Sequence, residues 1–367
     1  MKIKVEKQNL MEAVNIVSKA VPSKTTMSIL QCILIDASTE SVRLIGNDTE
    51  LGIQTEVDGI IEEHGIIAVD AAIFSNIVRK LPDGTVLINA ENERVMIRCE
   101  QAKFNILGRD GTDFTYLPEI EREYTISVSQ FTLRDIISKT IFSISGNDSN
   151  KMMTGELFEI NENTLRVVAL DGHRISIRKV ELRESYGNKK VIIPGKTLSE
   201  ISKIISGDME KMVNIYFSDK HALFEFDNTL VASRLIEGEY FNIDQMLSND
   251  YSTHIRINRQ ELLSCLDRAT LLVKEEDKKP IILLIRDETV ELKINTTIGS
   301  MDEVIAIDKS GDDLNIGFNP KFLIDALRSI DEEAVDIYLL SSRAPAFVRD
   351  EGTYCYLILP VNFINID

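Results

Sequence analysis

The chain has little of what metal enzymes, secreted proteins and membrane proteins depend on. Its 367 residues include four histidines and four cysteines. His64, His173, His221 and His254 are scattered without the spacing of a metal site. Cys32, Cys99, Cys265 and Cys355 lie far apart in apolar or alternating segments, which suits reduced core thiols better than disulfides or a zinc site. No apolar run reaches the roughly 18 residues of a membrane span. The start, Met1-Lys2-Ile3-Lys4-Val5, carries no apolar signal region. A cytoplasmic protein without a membrane partner is expected. Gly-rich phosphate loops, His-Glu-x-x-His, Gly-x-Ser-x-Gly and Cys-x-x-Cys are all missing, so no catalytic residue, metal or cofactor is expected.

What is present occurs three times. An amphipathic stretch around Leu10, Ala13, Val14 and Val17 returns around Leu133, Ile136, Ile137 and Ile141, and again around Leu262, Cys265, Leu266 and Ala269, at offsets of 123 and 129 residues. A second helical stretch, from Phe74 to Leu81, is echoed from Leu198 to Ile205 and from Leu323 to Ile330, at offsets of 124 and 125. A period this long is a whole domain rather than a solenoid repeat. Three copies of about 122 residues fill the chain, each large enough for its own core.

Charge is segregated along these repeats. The chain is at −18, a poor balance for a nucleic-acid partner. The six helical stretches, 7–21, 74–81, 129–145, 195–206, 258–274 and 320–330, are each net positive and together carry +7, leaving −25 for everything else. One helix at +1 is an ordinary solvated face; six of six imply a cationic surface on an acidic protein.

Between the helices the pattern alternates. Arg94–Cys99, Leu165–Ala169 and Val290–Ile294 read as half-buried strands, and Ala90–Glu93 as a hairpin turn. Each repeat therefore reads helix, strands, helix, strands, without the long crossovers of a parallel sheet. The expected fold is α+β: three tandem domains, each with two helices on one face of antiparallel sheets. Two corresponding turns, Gly111–Pro118 and Gly238–Asp244, precede the joints, giving domains 1–123, 124–249 and 250–367.

One local motif stands out. Leu170-Asp171-Gly172-His173-Arg174-Ile175 joins two strand-like runs; taken alone it is a tight turn with Gly172 permissive and Asp171 capping the loop. With the three units, Thr26-Met27-Ser28-Ile29-Leu30, Asp113-Phe114, Leu117-Pro118 and the terminal Leu357-Ile358-Leu359-Pro360-Val361, it resembles the bacterial DNA sliding clamp family, the beta subunit of DNA polymerase III, over the full length.

The resemblance implies a processivity factor: a ring-forming head-to-tail homodimer that encircles double-stranded DNA without reading it. It also implies a non-catalytic subunit of the DNA polymerase III holoenzyme. Its partners would be the polymerase III alpha subunit, the clamp loader, and other polymerases and repair proteins carrying clamp-binding peptides. The DNA-facing residues would be Lys24, Arg79, Lys80, Arg134, Lys139, Lys196, Lys203, Arg268, Lys321 and Arg328. The partner-peptide groove would be lined by Met153, Leu170, Gly172, His173, Arg174, Ile175, Phe241, Met246, Pro345, Leu359, Pro360, Val361 and Phe363. The dimer interface would set Phe104 against Leu271 and Leu272 of a second copy.

The chain departs from the family at several of these places. Leu170 stands for a usual threonine, Phe241 for a proline, Asn362 for a basic residue, Ser28 for a proline and Lys24 for an arginine, and the tail runs on through Phe363-Ile364-Asn365-Ile366-Asp367. A divergent second clamp with altered partner preference is one alternative. A metal-dependent nuclease using converging carboxylates, or a DNA-free scaffold, are the others.

Overall fold

The computed structural model describes residues 1–122, 124–147, 149–273, 279–350 and 352–363. Glu123, expected at the first joint, Lys274, expected to end the fifth helix, and the tail 364–367 lie outside the described residues.

Six α-helices are present among the described residues: α1 (Lys7–Val17), α2 (Ala71–Lys80), α3 (Gln130–Ser138), α4 (Gly195–Ile204), α5 (Arg259–Thr270) and α6 (Pro320–Arg328). Three of them, α2, α5 and α6, begin at side-chain caps. The Asp70 carboxylate accepts from Ile73 N–H at 2.8 Å, the Asn258 side chain from Glu261 N–H at 3.0 Å, and the Asn319 side chain from Lys321 N–H at 3.1 Å, with Pro320 pre-set in the first turn. Several are shorter than the periodic stretches. α1 gives way to a tight 3-10 turn at Ser18–Ala20, where the Ser18 hydroxyl donates to the Val14 carbonyl.

The expected strands are present as Arg94–Cys99, Thr164–Leu170 and Thr289–Thr296, and every strand pairing is antiparallel. The turn read at Ala90–Glu93 closes a hairpin with Asn92 in the left-handed region, φ 53°.

The chain packs as two compact units, each drawing on more than one of the three repeats. One comprises Met1–Leu133 with Ser199–Leu235 and holds a 13-stranded sheet; the other comprises Arg134–Leu198 with Ile236–Asp367 and holds a 12-stranded sheet. The backbone ladders give the reason. Strand Thr229–Arg234, from the central repeat, pairs with Leu51–Val57 of the first, whereas Arg174–Glu181 pairs with Tyr354–Ile358 of the third. Repeat and compact unit are thus different partitions of the chain, and α3 and α4 each pass from one unit to the other.

Within each unit the helices bury the stripe the periodicity marked. In the first, Leu10, Ala13, Val14 and Val17 of α1 are buried with Phe74, Ile77 and Val78 of α2. The end of α1 lies so close to strand Val42–Asn47 that a Cβ on Gly46 would sit 2.3 Å from the Val17 carbonyl oxygen. In the second, Leu262, Cys265, Leu266 and Ala269 of α5 share one cluster with Leu323, Ala326 and Leu327 of α6. Of the four thiols, all unbridged, three are buried and Cys355 is partly so.

Candidate functional site

The site is built on the Asp171-Gly172-His173-Arg174 turn of the second unit. Strand Thr164–Leu170 ends at Leu170, and the Asp171 carboxylate accepts from the backbone N–H of His173 at 2.9 Å and of Arg174 at 3.1 Å. Gly172, at φ +88°, takes the left-handed step that lets strand Arg174–Glu181 start at once. The turn reading is therefore correct as local geometry.

Arg174 then fixes that turn in the fold. It is only 8% exposed. Its Nε donates to Asp171 Oδ2 at 3.1 Å, Nη1 to Asp325 Oδ2 of α6 at 2.7 Å, and Nη2 to the Phe142 carbonyl. The guanidinium lies over the rings of Phe142 and Phe322, at 5.3 and 4.5 Å. Among the expected groove residues it acts as a strut rather than a contact surface. His173 is exposed, stacks on Phe322 with centroids 6.1 Å apart, and its carbonyl accepts from Leu359 N–H at 2.9 Å.

Beside this turn lies an apolar cluster of buried Leu170, Ile175, Ile243, Phe347 and Leu357, packed by the half-buried Met152, Met153, Tyr240, Phe241 and Leu247. Tyr240 and Phe241 meet edge to face at 5.8 Å. Met246 is exposed on the 3-10 turn Ile243–Met246, and Pro345 is half-buried just before Phe347. Leu359 is 37% exposed, Pro360 and Val361 half-buried. Val361 N–H donates to the Gly317 carbonyl at 2.8 Å, and the Phe363 ring fills the space over Gly317, where a Cβ would come within 2.8 Å of it. Of the expected groove residues, Met153, Leu170, Ile175 and Phe241 share this apolar cluster, His173 bonds Leu359, and Val361 and Phe363 lie against Gly317.

Phe322, Phe347, Ile243, Leu247 and Leu357 belong to this surface and were not picked out from the sequence. Phe347 and Leu357 do sit in alternating runs, but which face of a strand lines a groove depends on pairing across more than a hundred residues. Next in sequence to Leu157, a buried member of the same apolar cluster, is Glu156, fully enclosed, with neither carboxyl oxygen hydrogen-bonded among the described residues. Burial pushes its carboxyl well above the usual range, and the Thr140 hydroxyl offsets this only in part, since it donates to the Ile136 carbonyl at 2.7 Å. Burial likewise raises the Tyr240 phenol, with the Glu156 charge adding to it.

The expected DNA-facing cations lie on the solvent side of the helices or beside them. Lys24, Arg79, Lys80, Arg134, Lys196, Lys203, Arg268, Lys321 and Arg328 are exposed. Several are held by carboxylates: Lys203 by Glu200 at 2.8 Å, Arg328 by Asp267 at 3.0 Å, and Arg268 by Glu303. Lys139 is the most enclosed, its side chain 13% exposed between Asp135 at 2.8 Å and Asp331 at 2.5 Å. The exposed pairs among these are weak, because solvent screens them.

Each unit also has a sheet edge with an apolar residue beside it. Strand Ala102–Arg109 pairs with Arg94–Cys99 along its length but with Gly65–Asp70 only at Gly108 and Arg109, and Phe104 on the open part is 37% exposed. In the other unit, strand Gly299–Gly311 pairs on its second side only from Ile307 onward, Leu271 just past α5 is 79% exposed, and Leu272 packs near Gly299. Open edges invite another strand. Among the described residues no group of three His, Cys, Asp or Glu is placed to hold a metal ion, and no helix is long and apolar enough to cross a membrane.

Three family models match the chain in tandem: DNA polymerase III beta subunit N-terminal domain over residues 1–118, central domain over 127–242 and C-terminal domain over 244–362. The beta sliding clamp of Bacillus subtilis is 34% identical over 98% of this chain and 99% of its own length, and that of Staphylococcus aureus 33% identical at the same coverage. Among solved structures, a putative DNA polymerase III beta subunit from Eubacterium rectale matches with TM-score 0.97 and 62% identity. The sliding clamp of Bacillus subtilis matches with TM-score 0.96 and 34% identity. Each of these two covers 99% of this chain and 100% of the other.

Proposed function

We propose a sliding-clamp function from the premise that this chain belongs to the DNA polymerase III beta subunit family. It is a non-catalytic processivity factor, made of three clamp domains with joints near residue 123 and between residues 249 and 251, and it works in the bacterial cytoplasm. Two copies close head to tail into a ring around duplex DNA. Phe104 and its open strand edge meet Leu271 and Leu272 of the second copy, so that no bare edge is left.

DNA is held by containment. The helix-borne cations, from Lys24 to Arg328, meet phosphates through exchangeable contacts, none of which reads a base. The acidic remainder of the surface keeps duplex from binding elsewhere. Polymerase, clamp loader and repair proteins dock by short peptides whose apolar side chains fill the cluster around Leu170, Ile175 and Phe241, beside the rim of His173 and Leu359–Val361. Leu170 and Phe241, where the family carries threonine and proline, remove a hydroxyl and add an aromatic ring to this groove, favouring apolar anchors.

The observation that supports the reading is the apolar cluster beside the Asp171–Arg174 turn, which the buried Arg174 ties to Asp171, to Asp325 of α6 and to the Phe142 carbonyl. Primer extension on a singly primed circle tests it. Loader and clamp should lengthen the polymerase's products severalfold, and Ile175→Asp with Leu359→Asp should return them to the length seen without clamp. Unchanged products with the double variant would remove the groove from the function.

A further inference from the structure

The chain segment that forms the groove rim does not stop there. From Leu359 to Phe363 it runs onto strand Leu314–Phe318, the outermost strand of the second sheet, and bonds it through Val361 N–H and the Gly317 carbonyl. Beyond that bond opens a cavity of about 500 Å3, walled by Arg286, Arg343, Asp313, Asn315, Asn362 and Phe363. Backbone groups alternate along a strand, so Asn315, two residues from Gly317, presents its N–H and C=O to the same free side, toward the cavity.

The charge there runs against the rest of the molecule. Arg286 donates to the Asn315 side-chain oxygen at 2.6 Å and lies 3.8 Å from Asp313. Asp313 is already answered by Lys309 at 2.6 Å, which holds its carboxyl below the usual range. The exposed Arg343 guanidinium makes no hydrogen bond or ion pair among the described residues. Two arginines against one carboxylate, itself paired with Lys309, give this wall a net positive charge on a chain of −18.

We infer that this cavity receives an acidic stretch flanking the docking peptide. The flank leaves the apolar groove along the same rim, adds to the open edge at Asn315 as a short strand, and places Asp or Glu side chains on Arg343 and Arg286. This rests on the groove reading and deepens it: apolar anchors set where partners bind, and an acidic flank selects among them. Steering by the basin would also counter the repulsion an acidic partner meets from the rest of the surface.

Fluorescence anisotropy with three labelled peptides tests this. All carry the same bulky apolar anchors; one has Gly-Ser flanks, one a tri-glutamate N-terminal flank and one a tri-glutamate C-terminal flank. Against the full-length chain at about 50 mM salt, one acidic peptide should bind about five- to tenfold more tightly than the neutral one. Arg343→Ala should abolish that gain and Arg343→Glu reverse it, with the neutral peptide unaffected by either. The inference is overturned if neither acidic peptide gains, or if the gain survives R343E. It is also overturned if the gain appears only in a chain ending at Phe363, which would assign the cavity to the chain's own acidic end. Failure of the neutral peptide to bind would instead overturn the groove reading beneath it.

Discussion

At the scale of single residues, Arg174 and Glu156 have opposite standing. Arg174 is buried and answered on every side, so its removal strands Asp171, Asp325 and the Phe142 carbonyl together. Arg174→Ala should cost about 3 kcal/mol in urea unfolding, and docking-peptide affinity should fall in parallel as the Gly172–His173 turn loses its tie to α6. Arg174→Lys should recover little, because an ammonium cannot span the same fork of partners. Glu156 is buried and unanswered. Below the ionisation of an unfolded glutamate both states are protonated and nothing is lost. As pH rises past that point the unfolded chain ionises while the folded carboxyl, pushed up by burial, stays neutral, so folding weakens by up to about 1.4 kcal/mol per pH unit until the folded group ionises too. Glu156→Gln removes this loss. The variant's advantage in thermal unfolding should be small at pH 4 and grow toward pH 8; an advantage independent of pH would contradict the assignment.

At the scale of elements, the proposed head-to-tail ring rests on the open edges of Ala102–Arg109 and Gly299–Gly311. Phe104→Asp or Leu271→Asp puts a charge where an apolar contact must close, so light scattering should show 41.4 kDa for either variant and twice that for the parent chain. A parent that stays at the smaller mass at micromolar concentration would remove the head-to-tail contact. Elements were also the scale at which the sequence was most legible. Leu262, Cys265, Leu266 and Ala269 recur at helical spacing because one face of α5 is buried, and that face is visible in any window of a dozen residues. The pairing of Thr229–Arg234 with Leu51–Val57 leaves no such local trace, and for that reason two compact units were not foreseen. The candidate site was only partly legible for the same reason: the Asp171–Arg174 turn is local chemistry, whereas Phe322 stacks on His173 and Phe347 joins the apolar cluster only through contacts distant in sequence.

At the scale of the whole molecule, the proposed clamp, at −18, holds its polyanion by enclosure, with the helix cations assigned the part of softening the passage rather than gripping. Replacing Arg79, Lys196 and Lys321 by alanine should slow loading and alter sliding, yet leave a loaded ring on its circle, because retention depends on DNA having no ends. The most direct measurement follows a labelled clamp, loaded on nicked circular DNA, through gel filtration at about 0.5 M salt, before and after one restriction cut. The account predicts co-elution with the circle and release within minutes of linearisation. Loss from the intact circle at that salt, or equal retention on the linear product, would contradict it.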